Sequence, residues 1–96
     1  MLNNEFLKDK REIILQIAAR HGASNVRVFG SVVRSEADSE SDLDLLVTME
    51  PGRSYLDLVA LWQDLEDELG CKVDVITDGG ISPYLRENIL KEAIPI

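Results

Sequence analysis

Two aspartates stand one residue apart at the start of an apolar run near the middle of the chain. Asp42 and Asp44 lie in the segment DLDLLVTM, and a third aspartate, Asp74, interrupts the apolar segment KVDVIT. Strand side chains alternate between faces, so Asp42 and Asp44 would share one face. If the two segments are neighbouring strands, three carboxylates converge. Such a group repels itself unless protons or cations intervene.

Carboxylate oxygens with space left for water and substrate phosphates favour Mg²⁺ or Mn²⁺. A shared pair and a third carboxylate are what a two-metal phosphoryl- or nucleotidyl-transfer site requires. We therefore predict that Asp42, Asp44 and Asp74 bind two Mg²⁺ ions, with Mn²⁺ as a substitute. The plainer interpretation, a solvated start of a strand, leaves Asp74 unexplained. A calcium loop over DSESDLD is rejected because it lacks the central glycine.

A Gly-Ser pair, Gly30 and Ser31, ends the preceding apolar run and opens a predicted short helix. Backbone N–H groups at such a helix start bind phosphate. The Ser31 hydroxyl could donate a further hydrogen bond, and Arg34, one turn along, adds positive charge. These three residues are the predicted nucleotide-binding set. The plainer interpretation of the pair is an ordinary helix cap, and Arg34 fits a structural ion pair as well as a phosphate contact.

Apolar spacing predicts the elements that position these residues. Helices are expected over residues 3–21 and 55–69 and from Pro83 onward, and strands over residues 25–29, 42–49 and 72–77. With the short helix after Gly30, the order is α-β-α-β-α-β-α. It indicates one α/β (α+β) domain over residues 1–96, a small mixed sheet covered by helices. The last helix is expected to turn these side chains inward: Leu85, Ile89, Leu90 and Ala93. The acidic run at residues 66–68 is interpreted as a solvated helix face.

Composition excludes several classes of protein. The 96 residues are 45% hydrophobic and 29% charged, as in a globular domain. The net charge of -8 repels a phosphate backbone, which argues against direct nucleic-acid binding. No apolar run approaches the roughly 20 residues that span a membrane. Cys71 is the single cysteine and the N-terminus lacks a signal-peptide core, so a cytoplasmic location is expected.

The spacing of these motifs also resembles a known family. Gly30-Ser31, ten intervening residues and then Asp-Leu-Asp at 42–44 are similar to the signature of the minimal nucleotidyltransferases, of the DNA polymerase β-like superfamily. Asp74 matches the third carboxylate of that family. The resemblance implies that Asp42 and Asp44 bind both metals, and that Asp74 completes the shell of the catalytic metal and helps activate the attacking hydroxyl. Gly30 and Ser31 would then hold the triphosphate.

The resemblance further implies an activity and a partner. The expected reaction transfers a nucleoside monophosphate, AMP from ATP, to a hydroxyl of an acceptor. Members of this family act as antitoxins of helical HEPN-type ribonuclease toxins, and a tyrosine of the toxin is then the expected acceptor. The alternative is a non-catalytic binding module that neutralises or assembles with a helical partner. Self-association stays open, with the apolar terminal segment AIPI as the candidate surface.

Overall fold

The computed structural model describes residues 4–30 and 42–96, with the side chain of Asn4 excepted. Within these ranges lie three α-helices: α1 (Asn4–Arg20), α2 (Tyr55–Leu69) and α3 (Pro83–Glu92). Four strands accompany them: β1 (Ala23–Phe29), β2 (Leu43–Met49), β3 (Val73–Thr77) and β4 (Ile94–Pro95). The predicted short helix after Gly30 lies outside the described residues. No helix in these ranges is long and apolar enough to cross a membrane.

The four strands form one mixed sheet in the order β3-β2-β1-β4. Strand β2 runs antiparallel to β1 and parallel to β3, and β4 runs antiparallel to β1. The predicted fold class, a small mixed sheet with helices, is confirmed. Strand β4 was not predicted, because two residues are too few to show alternation and one of them is a proline. Proline is tolerated there because β4 is an edge strand.

The two faces of the sheet differ in what covers them. Helices α1 and α2 pack on one face and bury aliphatic side chains from alternate positions of the strands. Strand β2 contributes Leu43, Leu45 and Val47 to this core. Leu46 is also fully buried but lies outside that cluster, because it points to the opposite face with Asp44 and Thr48. We call this opposite side, on which α1 and α2 do not pack, the open face.

A bulge in β1 explains why that strand begins earlier than predicted. Between Ser24 and Arg27 the register with β2 shifts by one residue, and Asn25 has a φ of 50°. An extra residue in a strand breaks the alternation on which sequence prediction depends. Residues 23 and 24 therefore pair with β2, although the pattern placed the start of the strand at residue 25.

Helix α2 has a defined start and a defined end. At its start, the backbone N–H of Ser54 donates to the Asp57 carboxylate at 2.8 Å. That hydrogen bond is the main cause of a lowered pKa for Asp57. At the other end, Gly70 has a φ of 68° and donates its N–H to the Glu66 carbonyl oxygen at 2.9 Å. The left-handed conformation suits glycine and turns the chain directly toward β3.

The apolar side chains of helix α3 are not oriented as predicted. No residue of α3 is buried, and the Leu85 and Leu90 side chains are 54% and 40% exposed, so the expectation that they face inward is wrong. Helices α1 and α2 already supply the core with large side chains such as Ile14, Ile17, Leu61 and Leu65. Spacing shows that a helix has an apolar stripe, but it does not show whether the same chain covers that stripe.

This difference in burial predicts unequal effects of two leucine truncations. Leu65 is 1% exposed, whereas Leu85 is 54% exposed. We expect Leu65→Ala to lower the free energy of unfolding by about 2–5 kcal/mol, because it removes core contacts and leaves a cavity. Leu85→Ala should change it by roughly 0.5 kcal/mol or less. Urea unfolding followed by circular dichroism measures both, and equal losses would contradict the exposed position of α3.

Candidate active site

The pairing of β2 with β3 places two of the predicted aspartates side by side. Asp44 and Asp74 are direct partners in the parallel register. Their neighbours on either side in sequence are buried on the core face, so both carboxylates project from the open face. Adjacent strands lie about 4.8 Å apart, which brings the two side chains within reach of one cation. The condition set by the sequence, that the two strands be neighbours, is met.

Asp42 lies immediately before β2 and is exposed. The next residue anchors this end of the strand, since the Leu43 N–H donates to the Lys72 carbonyl oxygen at 2.9 Å. Over residues 4–30 and 42–96, no three His, Cys, Asp or Glu side chains are grouped closely enough to hold a metal ion. The donor chemistry of the paired aspartates suits Mg²⁺, but a common site formed by all three aspartates stays a prediction.

Gly30 brings the end of β1 against the Asp44 carboxylate. It is buried, has a φ of 80°, and follows Phe29, the β1 partner of Asp44. A Cβ atom at Gly30 would overlap Asp44 Oδ2 and lie 3.0 Å from Asp44 Cγ. Only glycine permits both this backbone conformation and this approach. Ser31 and Arg34 lie outside the described residues, so their predicted phosphate contacts stay predictions.

Glu66, which was predicted to lie on a solvated helix face, forms a specific hydrogen bond in this region. Its Oε2 accepts a hydrogen bond from the Val73 N–H at 3.0 Å, and the residue is half-buried. The prediction of a solvated acidic face is therefore wrong for Glu66, although Asp67 and Glu68 are exposed. The position of Glu66 in the predicted helix was a signal that could have shown this. A carboxylate in the last turn of a helix opposes the helix dipole and gains from a specific donor elsewhere.

Cys71 lies in the turn between α2 and β3, near this end of the sheet. Partial burial raises the pKa of its thiol, and the negative charges of Glu66 and Asp42 raise it further. The residue also packs against the core, as expected for a small hydrophobe. The influence of both carboxylates on one thiol shows that negative charge is concentrated around the start of β3.

The family comparison fits this geometry. The sequence pattern described as the nucleotidyltransferase domain matches residues 10–96, a stretch that includes Gly30 and all three aspartates. This chain belongs to the nucleotidyltransferase domain family. A provisionally named protein adenylyltransferase of Methanocaldococcus jannaschii is 45% identical over 87 residues, which cover 91% of this chain and 92% of that protein. Protein adenylyltransferase MntA of Thermococcus cleftensis is 34% identical over 79 residues, or 82% of this chain and 80% of its own.

Solved structures show the same fold. A protein provisionally assigned as a minimal nucleotidyltransferase superposes with a TM-score of 0.86 at 53% identity, covering 96% of this chain and 94% of that one. A chain from the complex of a tri-AMPylated Shewanella oneidensis HEPN toxin with its MNT antitoxin gives a TM-score of 0.70 at 17% identity. That match covers 94% of this chain and 70% of the other. At that identity the second likeness establishes the fold alone.

A second polar cluster lies farther along the open face of this nucleotidyltransferase domain. The Thr48 hydroxyl donates to Asp78 Oδ2 at 2.6 Å, and Arg27 Nη2 donates to the same oxygen at 3.4 Å. Arg86 Nη1 donates to the Asp78 carbonyl oxygen at 3.3 Å. Asp78 thus joins two strands to the first turns of α3. Isolated polar positions in strands form no sequence pattern, so this cluster was not predicted.

One pocket among the described residues of the nucleotidyltransferase domain lies away from the paired aspartates. A pocket of about 350 Å³ opens between the start of α2 and the end of β3, with Met49, Tyr55, Leu58 and Thr77 among its lining residues. Asp44 and Asp74 stand near the opposite ends of the same strands. The carboxylate pair therefore lies on a part of the open face that this pocket does not include.

The close approach of Gly30 to Asp44 predicts a cost of substitution that a matched glycine lacks. Gly52 has a φ of 90°, but a Cβ atom there would meet nothing within 4 Å. Gly52→Ala should lose only the roughly 1–2 kcal/mol of the left-handed conformation. Gly30→Ala should lose more, because its methyl group overlaps the Asp44 carboxylate. Urea unfolding of the two variants measures the difference, and equal losses would show that the approach is not tight.

Proposed function

We propose that this protein transfers AMP from ATP to a hydroxyl group of a partner protein. The observation that carries the proposal is the register of Asp44 with Asp74, with Gly30 packed against Asp44. The names of two relatives, both protein adenylyltransferases that align over most of this chain, support the choice of AMP and of a protein acceptor.

The reaction forms one bond and breaks another. The oxygen of the acceptor hydroxyl attacks the α-phosphorus of ATP, and the bond to the oxygen that bridges to the β-phosphate breaks. Pyrophosphate leaves with that electron pair. Asp74 accepts or directs the proton of the attacking hydroxyl, since its exposed side chain on the open face can reach an incoming substrate.

The remaining residues bind rather than react. Gly30 and Ser31 present backbone N–H groups to the triphosphate, and Arg34 adds positive charge. Asp42, Asp44 and Asp74 would hold two Mg²⁺ ions, which supply the charge that stabilises the transferring phosphate when they are bound. Mn²⁺ accepts the same oxygen ligands and should substitute.

The proposed partner is a helical HEPN-type toxin with a tyrosine as acceptor, and the domain acts as its antitoxin. The fold shared with the chain from the toxin–antitoxin complex motivates this partner. Exposed apolar side chains offer a surface for association. Tyr84 is 93% exposed and Leu85 is 54% exposed on α3, and Tyr55 is 70% exposed at the start of α2. Residues of this kind are enriched in protein interfaces.

The same apolar surface supports a second candidate function, a binding module that neutralises the partner by contact alone. In that case the carboxylates would be dispensable. The two functions separate on one substitution, Asp44→Asn, which removes a charge without changing the size of the side chain. Neutralisation that survives this change without any AMP transfer would favour the binding module.

Transfer of label from ATP tests the proposal directly. The protein and Mg²⁺ are incubated with a helical HEPN-type toxin and with ATP labelled at the α-phosphorus. We expect the partner to become labelled, and Asp44→Asn to reduce the rate by about 100-fold or more. Label in the γ-phosphate should not transfer, because that group leaves in pyrophosphate. Asp67→Asn, on an exposed position of α2, is the matched control and should label normally.

Near-wild-type labelling by Asp44→Asn would show that the assigned carboxylates do not carry the reaction. Transfer of γ-label would instead identify a kinase. Melting curves of both variants confirm that the comparison is made between folded proteins.

A further inference from the structure

We propose that Glu66 is a positioning residue that fixes Asp74 relative to Asp44. The inference deepens the proposed function, since it assigns to α2 a part in building the carboxylate pair. It depends on the proposed function only for the role of Asp74. Its structural content is a hydrogen bond from the edge strand to the helix behind it.

The peptide unit between Lys72 and Val73 shows why Glu66 is needed. Its carbonyl group accepts from the Leu43 N–H at 2.9 Å and so points toward β2. The N–H of the same trans peptide unit points the opposite way. Within the part of the chain that the structure describes, β3 is the last strand of the sheet on that side, so no described strand accepts from this N–H. The Glu66 carboxylate accepts instead, at 3.0 Å.

This hydrogen bond links Asp74 to a rigid support. Glu66 belongs to α2, which is anchored in the core by Leu65 and Leu69, 1% and 8% exposed. Val73 is the residue directly before Asp74, so fixing its backbone limits the movement of Asp74 along and away from β2. A displacement of about 1 Å in a group that positions substrate can reduce a rate by roughly 100-fold.

A charged acceptor at position 66 has an electrostatic cost that a neutral acceptor would avoid. Its charge lies in the last turn of α2, where the helix dipole disfavours it. A hydrogen bond to an ionised acceptor is stronger than one to a neutral acceptor. The stronger bond holds the start of β3 firmly beside β2.

Three variants test this inference in the full chain. Glu66→Ala removes the acceptor, Glu66→Gln keeps an amide oxygen at the same place, and Glu68→Ala changes an exposed carboxylate on the same helix. The first readout is hydrogen exchange of the Val73 amide in metal-free protein. The second is Mn²⁺ affinity measured by electron paramagnetic resonance. The third is the division of the labelling rate into kcat and KM for ATP.

We expect Glu66→Ala to speed exchange at Val73, to weaken Mn²⁺ binding by about 10-fold, and to lower kcat with little change in KM. Compared with Glu66→Ala, Glu66→Gln should restore part of each property, because its neutral oxygen accepts a weaker hydrogen bond, and Glu68→Ala should match the wild type. Faster exchange at Val73 with unchanged Mn²⁺ affinity and kcat would overturn the inference and leave Glu66 a structural cap. If Mn²⁺ affinity falls as expected but the wild type labels no partner, the inference stands and the proposed function fails.

Discussion

The parallel pairing of β2 with β3 puts Asp44 beside Asp74, and the rest of the structure is arranged around that pair. Two carboxylates on neighbouring strands repel each other, which in isolation would disfavour this register. The register is set instead by the other face of the same strands. There Leu43, Leu45, Val73 and Val75 are buried against the helices, and a slip of one residue would turn all of them to solvent. Aliphatic packing on one face thus imposes proximity of charge on the other.

The elements around the pair keep its backbone in place. Gly30 brings the end of β1 against Asp44. The Leu43 N–H and the Lys72 carbonyl group join the starts of β2 and β3, and Glu66 accepts from the N–H on the outer side of the same peptide unit. Within residues 4–30 and 42–96, no basic side chain forms an ion pair with Asp42 or Asp74. A site of this kind suits a cationic ligand that arrives with the substrate.

Most of the fold and the placement of the paired aspartates could be predicted from local sequence patterns. Alternation located the long strands and placed Asp44 and Asp74 on the face away from the core, and the Gly-Ser pair at the end of an apolar run singled out Gly30. The predictions that failed were those that depend on which other elements a residue contacts in the fold. The spacing in α3 could not show that Leu85 is exposed, and the two residues of β4 are too few to show the alternation of a strand. Glu66 looked like part of a solvated run because its partner, the Val73 N–H, is a backbone group on a strand edge that no sequence pattern marks.

The central claim is that Asp44 and Asp74 hold a divalent cation together when nucleotide is bound. Anomalous scattering from Mn²⁺ in crystals of this protein with a non-hydrolysable ATP analogue tests it most directly. The account predicts an anomalous peak on the open face, at about 2.1 Å from carboxylate oxygens of both Asp44 and Asp74. It also predicts that this peak disappears in Asp44→Asn. Manganese bound only to the phosphates, with no contact to either aspartate, would contradict the account.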